Sequence, residues 1–213
     1  HFREASWEEA LEYAATVLQL ILYQQGPKSL AGFGSAKCSN EEAYLFQKLV
    51  RSVFGSNNVD HCTRLCHASS VSALIEGIGS GAVTAPFYDA LNADCIIVIG
   101  TRPTENHPVA ATYFKQACKN GATLILIDPR GSGLARHADH HLKFTGGTDV
   151  ALLNAMLHVI ITENLIDRDF IDKHTEGFET LADRIKDFPP EEMSVICGID
   201  ADTIRTVARA YAT

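Results

Sequence analysis

With 213 residues, 46% of them hydrophobic, the chain can build one or two packed cores. A net charge of −8 excludes a surface made to hold nucleic-acid phosphates, which needs concentrated positive charge. Six irregularly spaced cysteines without paired CxxC units argue against a disulfide framework and give no support to a zinc site or an iron–sulfur cluster of this segment's own, and no apolar run is long enough to span a bilayer.

In chain order, Ser6-Trp7-Glu8-Glu9 predicts a capping box and a helix to about Gln25. Its apolar positions Ala10, Tyr13, Ala14, Val17, Leu18, Ile21 and Leu22 recur at three and four, which predicts one buried stripe. Gly26-Pro27 ends it. Leu30 to Gly34 reads as a short strand entering a glycine-rich turn, with a plain tight turn as the competing reading. Lys37 and Cys38 stand beyond that strand, where α/β sheets place ligand loops. A second capping box, Ser39 to Glu42, opens a helix to about Phe54 that is expected to bury Ala43, Leu45, Phe46, Leu49, Val50 and Val53.

The stretch NNVDHCTRLCHASSV, residues 57–71, concentrates the chemistry. Cys66 and His67 put a metal-binding sulfur beside a proton-accepting ring, and Arg64 adds positive charge. A buried cysteine next to a surface histidine is the bland alternative. Cys62 is four residues from Cys66, so the two share a face on a helix and form a disulfide only if their α-carbons come within about 7 Å. Val71, Leu74, Ile75 and Ile78 predict a following helix capped by Ser69 or Ser70, which places Cys66 and His67 near a helix N-terminus whose amides and dipole favour a thiolate.

From Asp94 the pattern changes. Residues 95–99 form a continuous apolar run typical of a strand buried on both faces, followed by the loop GTRPTENHP, a helix to about Asn120, and a second such strand at 123–127 ending in Asp128-Pro129-Arg130. Strand, helix, strand is the dinucleotide-binding unit, and its ligands sit at the carboxyl ends of the strands. No GxGxxG is present, which argues against ordinary NAD binding. Asp128 suits ribose hydroxyls and Arg130 suits phosphate, with a helix cap as the alternative for the aspartate. His137, Asp139, His140 and His141 invite a metal reading, but without a second cluster a structural role is expected. Residues 142–144 read as a short strand. Gly147, Thr148 and Asp149 either receive a ligand at the start of a helix over 150–163 or cap it. Helices at 167–174, 178–187 and 201–211 complete the chain, broken by Pro189-Pro190.

The run SAKCSNEEAYLFQKLVRSVFGSNNVDHCTRLCHASSV, followed in order by GTRPTENHPVA, LIDPR, ARHADHHLKF and GTDVALLNAMLHVI, resembles the catalytic subunit of molybdenum- or tungsten-dependent formate dehydrogenases, a branch of the molybdopterin oxidoreductases. The resemblance covers nearly the whole chain. It implies an α/β fold, a Rossmann-like parallel sheet flanked by helices, as a fragment of a larger multidomain enzyme. Residues 1–60 would be a helix-strand-helix part of a neighbouring α/β domain and 61–213 the molybdopterin dinucleotide-binding domain. It further implies that Cys66 ligates molybdenum or tungsten, that His67 assists proton removal from formate, and that Arg64 gives electrostatic support. Two molybdopterin guanine dinucleotides would serve the metal, contacted by Lys37, Gly100, Thr101, Arg102, Glu105, Asn106, Asp128, Pro129, Arg130, Gly147, Thr148 and Asp149. Arg102 stands where relatives commonly have asparagine, and Gly131-Ser132-Gly133 where they often carry longer side chains. A [4Fe-4S] domain and electron-transfer partners would belong to the full-length protein, located in the cytoplasm or periplasm. The start at His1 instead of methionine fits an excised segment.

Overall fold

A computed structural model describes residues 2–213, which divide between Thr84 and Ala85 into two compact units. The sequence suggested a division after residue 60; the units instead divide after Thr84, so Cys66 and His67 belong to the first.

In the first unit, helix α1 spans Trp7–Gln25. Ser6 caps it by accepting from the Glu9 amide, but Glu9 does not reach back as a full capping box requires; its carboxylate is taken by Arg3. Helix α2, Asn40–Lys48, carries the reciprocal box in full: Ser39 accepts from the Glu42 amide and the Glu42 carboxylate accepts from the Ser39 amide at 2.7 Å. Where a helix to Phe54 was expected, the chain widens into a π-turn over Leu49–Val53, closed by the Phe54 amide on the Leu49 carbonyl.

That widening seats Val50, fully buried, against strand β1, Gly32–Phe33, which pairs in parallel with β2, Val59–Asp60. A Cβ on Gly32 would meet Val50 at 2.5 Å and Phe46 at 3.0 Å, so the position admits no side chain. The buried Ser56 hydroxyl donates to the Leu30 carbonyl, and the Asn58 side-chain amide donates to the Lys28 and Leu30 carbonyls, which ties the turn before β2 to β1.

The predicted buried stripes are corrected here. No residue of α1 is buried, Tyr13 being 73% exposed, and Leu45, Leu49 and Val53 are also exposed. The stripe is partly buried at Leu18, Ile21 and Leu22, where α1 faces Leu49, Val53 and Phe54, and exposed at Ala10, Tyr13, Ala14 and Val17. A short helix α3, Thr63–Cys66, leads into α4, Ala68–Ile78, whose N-cap is His67 and not Ser69 or Ser70.

The second unit is a three-stranded parallel sheet in the order β3-β4-β5, with β3 at Cys95–Ile99, β4 at Thr123–Ile127 and β5 at His140–Leu142. The strand expected at 142–144 thus lies two residues earlier, where it pairs with β4 in the register Ile125↔His140 to Ile127↔Leu142. Side chains alternate between two apolar faces. Ile96, Val98, Leu124 and Leu126 pack with Ala117 of helix α6, Pro108–Lys119, which follows the single turn α5, Pro103–Asn106. Ile125, Ile127 and Leu142 pack with Leu152, Met156 and Val159 of α7, Asp149–Thr162, and with Cys197, Ile204 and Val207. Helices α8, Arg168–His174, and α9, Phe178–Arg184, follow α7. Pro190, expected only as part of a break, is the first residue of α10, Pro190–Cys197, since proline fits the first turn of a helix. Helix α11, Ala201–Ala212, is capped by Asp200.

Candidate functional site

Cys66 closes α3, its amide bonded to the Cys62 carbonyl, and His67 bridges to α4 with φ −142° and ψ 22°. The break between two short helices turns both side chains into exposed positions. His67 makes no side-chain cap, so the first amides of α4 carry no side-chain partner beside it. Cys66 is an exposed free thiol, which removes the reading of a buried core cysteine; Cys62 is likewise exposed and free. Arg64 donates from Nε to Asp60 Oδ2 at 2.8 Å, an exposed pair four residues apart. Arg64 holds the Asp60 carboxyl below its usual range, assisted by the His61 amide, and the Arg64 guanidinium is correspondingly raised. The charge next to Cys66 is therefore a held ion pair, not a lone cation.

Lys37 and Cys38 lie beyond β1, with the Lys37 amide on Ser35 Oγ and Cys38 Sγ donating to the Ser35 carbonyl at 3.0 Å. His61 bridges the Ser35 carbonyl and Thr63 Oγ1, which links this turn to the start of α3. A cavity of about 450 Å³ opens between Phe33, Ala43, Phe46 and Val59, rimmed by Cys38 and His61.

In the second unit the predicted ligand loops meet at the carboxyl ends of β3 and β4. Gly100, Thr101, Arg102, Glu105 and Asn106 lie after β3, Arg102 being paired with Glu105. Asp128, only 4% exposed, accepts from the Arg130 amide at 2.7 Å, while Pro129 and Arg130 are exposed. Asp128 therefore caps its own turn and caps no helix. Gly133 lies against Thr104: an added Cβ would approach Thr104 Oγ1 to 2.8 Å, so the two loops interlock.

Thr148 is the N-cap residue of α7, but its hydroxyl donates to the Thr145 carbonyl at 2.6 Å and leaves the helix amides uncapped. Gly147 has φ 85°, a conformation that suits glycine. Of the two readings of this segment, a side-chain cap by Thr148 is absent, and the free amides remain available to an acceptor.

An acceptor-bearing group such as a molybdopterin cofactor fits these residues on one observation: Arg102 Nε and Thr104 Oγ1 are buried and have no hydrogen-bond partner. Orphaned buried polar atoms call for an acceptor. Sequence reading missed the Thr104–Gly133 interlock and the contact of His141 Nε2 with the Asp128 carbonyl at 3.1 Å; the histidine-rich run was the only signal of the latter. Asp139 takes a different role, accepting the Leu124 amide at 2.8 Å. No described helix is long and apolar enough to cross a membrane.

A family model described as molybdopterin oxidoreductase matches residues 1–201. The chain is 43% identical to the alpha subunit of an F420-dependent formate dehydrogenase of Methanocaldococcus jannaschii over 99% of its length, which is 30% of that relative. It is 42% identical to formate dehydrogenase H of Escherichia coli over 97% of its length and 29% of that protein. Among solved structures, acetylene hydratase from Pelobacter acetylenicus superimposes with a TM-score of 0.75 at 30% identity, covering 97% of this chain and 28% of that one. The chain thus spans about 30% of the length of the curated relatives it matches.

Proposed function

The chain belongs to the molybdopterin oxidoreductase family, and from that premise we propose that it is the part of a formate dehydrogenase catalytic subunit that carries the metal-ligating cysteine and a dinucleotide cradle. The observation that carries this reading is the exposed Cys66–His67 pair at the junction of α3 and α4. Cys66 would supply the protein ligand to molybdenum or tungsten, whose other sulfurs come from two molybdopterin guanine dinucleotides. When bound, that centre supplies the two-electron sink of the reaction.

Formate loses two electrons and one proton to become carbon dioxide. His67 accepts the proton at an imidazole nitrogen, and Arg64, steadied by Asp60, adds positive potential for the anion. In the cradle, Asp128 would accept from ribose hydroxyls, and Arg102 and Arg130 would bind phosphate oxygens. Thr101, Glu105 and Asn106 line the loop after β3, and Gly147, Thr148 and Asp149 would present the α7 amides to the guanine edge. Lys37, in the loop after β1, would offer its ammonium to a cofactor. An iron–sulfur domain and partner subunits outside this segment would take up the electrons.

A second reading, a nitrate-reductase-like member of the same family, has its own support, because relatives 34% and 38% identical to this chain are named nitrate reductase. The fold therefore does not by itself select the reaction. Formate-dependent dye reduction by the full-length subunit, lost in Cys66→Ala and slowed by orders of magnitude in His67→Ala, supports formate oxidation. Full activity in Cys66→Ala, or turnover of nitrate and not formate, overturns it.

A further inference from the structure

We infer that His141 is a positioning residue for the turn at the end of β4, an inference that rests on the reading of Asp128 and Arg130 as nucleotide contacts. The turn has few backbone ties of its own. The Asp128 amide still donates to the Leu142 carbonyl at 3.2 Å, continuing the parallel ladder by one step. The ladder then stops, because β5 ends at Leu142. Pro129 has no amide hydrogen, so the turn's next donor is the Arg130 amide, which binds Asp128 Oδ1. The Asp128 carbonyl, lying past the last strand pair, is bonded instead by the imidazole of His141, at 3.1 Å from Nε2.

A carbonyl oxygen only accepts, so His141 must carry its hydrogen on Nε2; the neutral ring is the Nε2–H tautomer. Three atoms of Asp128 are then held at once: its amide by Leu142, its carbonyl by His141 and its carboxylate by Arg130. Holding the carbonyl sets the backbone angle that aims Pro129 and Arg130, and keeps a largely buried carboxylate in one orientation. A ligand that meets a preorganised turn loses less entropy on binding. Of the histidines in the run, His141 is the one whose ring bonds this turn, while His140 precedes it in β5.

The test uses the 213-residue chain with guanosine diphosphate as the probe, and two substitutions. His141→Phe keeps a planar ring without a donor, and His141→Gln keeps an N–H donor of similar reach. We expect nitrogen-15 NMR of the unmodified chain to show the Nε2–H tautomer and slow exchange of the Arg130 amide. His141→Phe should speed that exchange and weaken guanosine diphosphate binding about tenfold, the worth of one hydrogen bond. His141→Gln should restore both. An Nδ1–H tautomer, or exchange and affinity unchanged in His141→Phe, overturns the inference. If the unmodified chain binds no guanosine diphosphate, the nucleotide reading of the turn fails, while the tautomer and the Arg130 exchange still decide whether His141 positions it. The tautomer also decides the matter if His141→Phe does not fold.

Discussion

Arg64 and Asp60 illustrate how a neighbour defines what a charged residue can do. Because Asp60 is held below its usual range by the Arg64 guanidinium, the pair stabilises the fold above the ordinary aspartate range, and that contribution is lost as pH falls through the lowered value. Arg64→Leu should therefore move the Asp60 titration upward, read by carbon-13 NMR, and lower stability at neutral pH, with the difference closing in acid. The cysteines divide by environment in the same way. Cys38, Cys62 and Cys66 are exposed, whereas Cys197 is fully buried, and burial, with Asp139 adding to it, pushes the Cys95 and Cys118 thiols up. A disulfide-exchange reagent should label three thiols rapidly in the native chain and the others only slowly or after unfolding. Neither Asp60 nor Asp139 was visible as a partner in the sequence, because both contacts depend on backbone geometry that spacing alone leaves open.

At the scale of elements, local signals and packing part company. The box at Ser39 closes fully, whereas Glu9 prefers Arg3 to the backbone, so Ser39→Ala should cost about 1 kcal/mol in urea denaturation, more than Ser6→Ala does. The Thr104–Gly133 interlock joins the loops after β3 and β4, and both sides of that contact are crowded. Gly133→Ala should destabilise by about 1–3 kcal/mol, with part of the loss recovered when Thr104→Ala is added, a coupling that a double-mutant cycle measures. Sequence flagged Gly131-Ser132-Gly133 as a departure from relatives. Only the contact explains the last glycine: it makes room for a half-buried, β-branched threonine whose hydroxyl is buried.

Across the whole molecule, the buried core is unevenly shared. Leu30 and Val50 are the buried hydrophobic residues described in the first unit, while the strands and helices of the second bury the rest. The single tryptophan, Trp7, is 82% exposed on α1, so a neutral quencher should extinguish its fluorescence in the native chain as readily as in the unfolded one. In the second unit, Arg209 grips both Glu163 oxygens at 2.7 Å and joins α11 to the end of α7, and Arg205 bonds Glu191 of α10. These arginines hold both glutamates below their usual range. Their contribution is present above the ordinary glutamate range and disappears as pH falls through the lowered values. Thermal melts should show a transition that drops in acid, and less steeply so in Glu163→Gln.

The sequence by itself determined the α/β class, the two hydrophobic strands, the cap at Ser39, the cysteine–histidine pair and the loops at the strand ends, because period, capping residues and turn residues act over a few neighbours. The tertiary structure alone decided that the stripe of α1 is only partly buried, that α2 widens at Leu49, that β5 starts at His140, that Thr104 packs against Gly133 and that His141 bonds the Asp128 carbonyl. Each of these depends on atoms brought together from different parts of the chain, and local spacing carries no information about that.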